Sequence, residues 1–199
     1  IFGNFSENLV NDVSENIYII RSVNPLNTVD KIFVFIPENS ELEVGFEHII
    51  VTIAKLASNI GGMAVFCGFG NSLTAIRYIL KKYKLSLTAS FELAADIDEY
   101  SNFISWIQPD DMIVMLHARS KSISFSLTYE YLINTISDSF PKNNFALVYI
   151  EQNPVVQTES YTKYDILDGS AVSESLQIVD KIKLLFGRKR KKPALNRVK

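Results

Sequence analysis

Four short runs of almost unbroken apolar residues constrain this chain more than any other feature. They are KIFVFIP at residues 31–37, MAVFC at 63–67, DMIVMLH at 111–117 and FALVYI at 145–150. A strand apolar on both faces must be covered on both sides, the condition of a parallel sheet buried between helices. The segments between the runs carry apolar residues at helical spacing, so the pattern reads as successive βαβ units.

The spacing predicts each connecting element. Ser40-Glu41-Leu42-Glu43 has the form of a capping box, in which serine and glutamate satisfy each other's free amides. The first helix then aligns Phe46, Ile49, Ile50, Ile53, Leu56, Ala57 and Ile60, and Gly61-Gly62 ends it. A second helix, capped by Asn71 or Ser72, presents Leu73, Ile76, Ile79, Leu80 and Tyr83. Lys81, Lys82 and Lys84 in its last turn complement the helix dipole. Leu87, Ala89, Phe91 and Leu93 alternate with polar neighbours, as on an edge strand. A third helix is expected over residues 98–107, stopping before Pro109. A fourth carries Leu127, Tyr131, Leu132 and Ile136 and ends near Pro141. The expected core is thus a doubly wound, five-stranded parallel α/β sheet over residues 31–151.

On either side, residues 1–22 read as a helix (5–13) and a strand (17–20), and 23–30 as a linker around Pro25. Residues 152–170 form a polar loop, and 171–187 an amphipathic helix with Val172, Leu176, Val179, Ile182 and Phe186 in register. Residues 188–199 are a basic tail.

With 199 residues and 47% hydrophobic content, the chain fills one core but not two full α/β domains. No window reaches the roughly 18 consecutive apolar residues of a membrane span, and the start has no signal-peptide pattern. The net charge of −2 hides an asymmetry. Residues 188–199 hold seven basic residues and no acid, while the other 13 basic and 22 acidic residues leave −9. Such a body repels nucleic acid everywhere but at its tip, so no nucleic-acid partner is expected. The one cysteine, Cys67, excludes an internal disulfide and reads as a core thiol. His48 and His117 are too far apart in sequence, with no cysteine beside them, to suggest a metal site.

Three stretches, VNPLNTVDKIFVFIPENSELEVGFEHII, MIVMLHARSKSISF and FALVYIEQ, resemble the cytoplasmic region that follows the membrane domain in bacterial cation/proton antiporters of the sodium/proton exchanger class. That region carries two repeats similar to universal stress proteins. The resemblance, which covers most of the chain, implies a universal-stress-like sheet of order 3-2-1-4-5. Residues 1–22 would then end a preceding repeat, with GNFSENLV at its helix start. It further implies an upstream transmembrane antiporter domain as partner, homodimer or repeat pairing through residues 145–150, and a place at the cytoplasmic face of the cell membrane. The tip RKRKK after an amphipathic helix would lie against anionic lipid, at about 1 kcal/mol per basic residue near the surface.

In a doubly wound sheet, ligands bind beyond the carboxyl ends of the strands where the order reverses. Here that crevice would be framed by Glu38 and Asn39 after the first strand and by His117, Arg119, Ser120 and Lys121 after the fourth. Nucleotide-binding members of the resembled family hold the ribose with an acid after the first strand. They hold the phosphates with spaced glycines after the fourth. Glu38 is displaced from that acid's place, and residues 118–127 contain no glycine. Gly3-Asn4 is the last trace of that glycine pattern in the preceding repeat. No cofactor is therefore expected, and ATP would require the loop to close without glycines. Arg119 and Lys121 put positive charge at the crevice, and His117 is a candidate pH sensor, since an unperturbed histidine titrates near about 6.5. Gly68-Phe69-Gly70 resembles half a dinucleotide fingerprint, but with no third glycine or ribose acid it reads as a tight turn. Nothing specifies a nucleophile with its base, so a non-catalytic regulatory domain acting through ligand, pH or dimer contacts is expected. The alternative is a free-standing universal-stress-type protein that binds an adenine nucleotide.

Overall fold

Side-chain alternation along the buried strands divides the core into two halves. The computed structural model describes residues 13–152. Its strands are β1 (Ile17–Arg21), β2 (Lys31–Phe35), β3 (Met63–Gly68), β4 (Ala89–Leu93), β5 (Met112–His117) and β6 (Asn144–Tyr149). Its helices are α1 (Phe46–Ile60), α2 (Gly70–Lys82), α3 (Tyr100–Ile104) and α4 (Leu127–Ser139). Ile32, Val34, Ala64, Phe66, Val114 and Val148 point to one face, where they pack with Ile49, Ile50 and Ile53 of α1 and Leu73 and Ile76 of α2. Their neighbours Phe33, Phe35, Val65, Cys67, Ile113 and Leu147 point to the other, against α3 and α4. Period-2 alternation with both faces apolar leaves the helices nowhere to go but one pair on each side. Each fully buried large side chain contributes about 1.5–3 kcal/mol.

The sheet has six strands in the order β1-β6-β5-β2-β3-β4. This corrects the expected five-stranded, wholly parallel sheet in its strand count and in its direction at one edge; read from the other end, the five expected strands run β4-β3-β2-β5-β6, with β1 added beyond β6. Strands β2 to β6 pair in parallel, while β1 joins the outer edge of β6 antiparallel, with Ile17 opposite Tyr149 and Arg21 opposite Phe145. Arg21 anchors the join: its guanidinium donates to the carbonyls of Ser137 and Phe140 and lies 5.4 Å from the Phe145 ring centre.

The element boundaries also moved. The capping box does not form. Ser40–Leu42 is a 3-10 turn in which Ser40 Oγ donates to the Pro37 carbonyl at 2.7 Å, and α1 begins only at Phe46. Gly61 does end α1, at φ 72°, a left-handed conformation glycine adopts without strain. The third helix shortens to a 3-10 turn at Ile97–Glu99 and then α3. In α4 the buried tyrosine is Tyr129, while Tyr131 is 48% exposed. Neither Asn71 nor Ser72 caps α2; Ser72 instead donates to Glu41 at 2.5 Å. The expected helix at 5–13, the Gly3-Asn4 trace, the amphipathic helix at 171–187 and the basic tail lie outside the described residues, save Val13.

Candidate functional site

The chain crosses from β2 to β3 and β4 on one side, then returns to β5 and β6 on the other. Its switch point is therefore at the carboxyl ends of β2 and β5. A cavity of about 350 Å³ opens there, lined by Pro37, Glu38 and Asn39 after β2, Phe69 after β3, Ala95–Ile97 after β4, and residues 123–126, Thr128 and Tyr129 after β5.

Local chemistry shapes each wall. Asn39 takes a left-handed conformation (φ 62°), which lets the chain turn sharply out of β2. Asp96 accepts the Glu99 amide at 3.2 Å while Glu99 accepts the Ala95 amide at 2.7 Å. The arrangement is a near relative of a capping box, with Glu99 taking the amide one residue before the cap, and its spacing is visible in the sequence as Asp96-Ile97-Asp98-Glu99. Ser126 caps α4 by accepting the Tyr129 amide and so sets Tyr129 in the first turn, over the cavity. Phe69 opens α2 and adds an aromatic wall. Gly68 lies close to the residue that follows β2: a Cβ there would be 3.2 Å from the Ile36 Cβ, a tight contact.

Of the six residues expected at the crevice, only Glu38 and Asn39 line this cavity. Arg119 points elsewhere. Its guanidinium donates to the carbonyl of Glu15 at 2.6 Å, to that of Ser14 at 3.3 Å and to that of Ile150. Carbonyl dipoles at the entry to β1 and the exit from β6 thus hold the charge expected at the crevice. Ser120 and Lys121 are exposed at the loop tip. His117 is buried with its ring 4.9 Å from that of Tyr149, and burial, aided by the Arg119 charge, lowers its pKa to about 4. Both effects favour the neutral imidazole.

The loop between β5 and α4 has an internal anion of its own. The Glu43 carboxylate accepts the Ser124 amide at 3.1 Å, the Ser124 hydroxyl at 2.7 Å and the Ser122 hydroxyl. These donors are already engaged and do not face an outside anion.

The cavity itself has the opposite character. Its charged side chains are the carboxylates of Glu38 and Asp96, with no lysine, arginine or histidine among the lining residues. On its inner side stands Tyr129, 2% exposed, whose hydroxyl has no hydrogen-bond partner among the described residues. Burial raises its pKa well above the usual phenol value. Tyr100, packed against it at 6.0 Å between ring centres, instead donates to the Ile36 carbonyl at 2.5 Å. Cys67 is buried, and desolvation pushes its thiol pKa up, away from the reactive thiolate. The arrangement can hold a small molecule by its apolar body and by a donor-bearing edge. Among the described residues no group of three His, Cys, Asp or Glu is placed to bind a metal.

No family model matches the chain, and no curated protein or solved structure matches it either. The fold and site define a mostly parallel α/β protein with a switch-point cavity. Among the described residues no helix is long and apolar enough to cross a membrane.

Proposed function

We propose that this chain is a non-catalytic regulatory module of universal-stress type, attached to a membrane cation/proton antiporter at its cytoplasmic face, and that it acts by binding a small ligand. The observation that carries the ligand-binding role is the cavity at the carboxyl end of the sheet, walled by the four connections that follow β2, β3, β4 and β5. The antiporter link rests on the stretches at residues 23–50, 112–125 and 145–152. Pairing with a preceding repeat or a second copy, and lipid contact through residues 188–199, belong to the same reading. The free-standing nucleotide-binding alternative gains no support from the geometry, because Glu43 takes the loop donors and carboxylates line the cavity.

The test is exchange activity of the intact transporter in proteoliposomes, with and without this module. An allosteric module couples with roughly 1–3 kcal/mol, so removing it should shift the apparent cation affinity about fivefold or more. Identical exchange at every cation concentration would sink the regulatory reading.

A further inference from the structure

We propose that residues 171–187 dock against the carboxyl end of the sheet, laying their apolar stripe on the surface formed by Leu42, Val44 and Ile123. The inference goes beyond the regulatory reading and does not depend on it. The surface comes first. Leu42, Val44 and Ile123 are 60%, 58% and 51% exposed. Large apolar side chains scattered singly over a surface are ordinary, but these three are held together. Glu43 stands between Leu42 and Val44. Its carboxylate accepts the Ser124 amide at 3.1 Å, the Ser124 hydroxyl at 2.7 Å and the Ser122 hydroxyl, from the two residues that flank Ile123. One engaged side chain thus fixes an apolar patch built from two distant connections, and contiguous patches of this kind mark interaction sites.

The occupant follows from where the chain leaves the described residues. The Gly45 amide, next to Val44, donates to the Glu151 carbonyl at 3.4 Å, and the described residues end at Gln152. The chain therefore departs beside the patch. The stretch 153–170 reaches at most about 60 Å, against about 24 Å for the width of a six-stranded sheet. Such a tether keeps residues 171–187 at an effective concentration on the order of mM at this surface. Those residues carry Val172, Leu176, Val179, Ile182 and Phe186 at helical spacing, an apolar face that needs a partner. Charge points the same way. The connections at this end of the sheet carry Glu15, Glu38, Glu41, Glu43 and Glu151 against Arg119 and Lys121. Residues 188–199 bring seven basic residues and no acid to meet them. The other segment at this end, residues 1–12 leading into β1, holds Glu7 and Asp12 and no basic residue, and so lacks that complementarity. Ile123 also lines the switch-point cavity, so docking reaches the wall of that site.

The experiment places a nitroxide on Ser175→Cys in the full chain and reads amide signals by NMR; Cys67 is buried and stays unlabelled. Residues 42–44 and 122–124 are expected to lose signal, while Lys31 and Lys142, at the opposite end of the sheet, keep theirs. Leu176→Ser/Val179→Ser in the labelled chain should restore the lost signals. Leu42→Ser/Val44→Ser should do the same from the other side of the contact, with the melting temperature almost unchanged because both positions are exposed. No loss at those residues, loss centred elsewhere, or loss that survives both double variants would each overturn the docking. Loss that appears on unlabelled, isotope-enriched chains mixed with labelled ones would give the patch to a second copy. Loss from a label at Ser6→Cys but not at Ser175→Cys would give it to residues 1–12. Either of these results overturns the proposal as well.

Discussion

Arg119 shows how a residue with the right charge in the right loop serves a different purpose. Its three carbonyl partners, Ser14, Glu15 and Ile150, belong to the segments by which the chain enters and leaves the sheet. Charge-assisted hydrogen bonds of this kind are about twice as strong as neutral ones. Arg119→Ala should therefore cost about 2–3 kcal/mol in urea unfolding, with faster amide exchange at residues 14–16 and 150–152. Loss of stability without that local signature would place the role of Arg119 elsewhere. His117 makes a second prediction at this scale. Its folded pKa of about 4 lies below the unfolded value near about 6.5, so between those values the unfolded chain binds a proton that the folded chain does not. Stability contributed by this group is complete above about pH 6.5, falls as the pH drops toward 4 and then levels off. The loss should reach up to about 3 kcal/mol and should be absent in His117→Phe, which keeps an aromatic ring against Tyr149 and Phe125. Parallel stability curves for the two proteins from pH 7 to 4 would refute it.

The segment between β2 and α1 was the least legible part of the sequence, and its residues carry the clearest element-scale predictions. Ser40 and Glu43 have capping-box spacing, yet the carboxylate turns away to hold the loop after β5, because Ser122 and Ser124 offer it three donors. Spacing records a local option and says nothing of a competing partner 79 residues away. Glu43→Ala leaves those donors without their acceptor and should cost about 1–3 kcal/mol, with exchange accelerated over residues 118–126. Gly45 caps α1 where Asn16 and Glu151 press in. A Cβ would lie 2.2 Å from Asn16 Oδ1 and 2.6 Å from Glu151 Cβ. Gly45→Ala should destabilise by about 2–3 kcal/mol, read from thermal or denaturant unfolding; a neutral effect would mean that the ends of the sheet yield easily. Helix faces were easier to read, since α1 buries Phe46, Ile49, Ile50, Ile53 and Ala57 as its periodicity predicts. Tyr129 and Tyr131 exchanged roles because α4 has a weaker stripe, and only the Ser126 cap fixes its phase.

At the scale of the molecule, β1 decides what the sheet can do with its edge. Residues 17–20 read as a strand from their own apolar character, but the strand to which they add was open. In the structure β1 covers β6, the edge through which the resemblance implies pairing. A chain beginning at residue 23 would expose the backbone donors and acceptors of β6 and should self-associate more strongly than the intact chain. Light scattering behind size exclusion, over a range of concentrations, measures this; equal masses at every concentration would show that β1 is not the guard of that edge.

The sequence by itself determined the strands apolar on both faces, the parallel class of their sheet and the apolar faces of the longer helices. Those depend on the period of hydrophobic residues along a few adjacent turns, which is written locally. It also located the switch-point loops, and Glu38 and Asn39 within them. Only the tertiary structure decided that Arg119 spends its charge on Ser14, Glu15 and Ile150, that Glu43 fills the loop after β5, and that Glu38 and Asp96 come to line one cavity with Phe69 and Tyr129. Each of these depends on polar groups from distant segments competing for one another. Such competition is settled by distance and burial, which residue spacing does not encode.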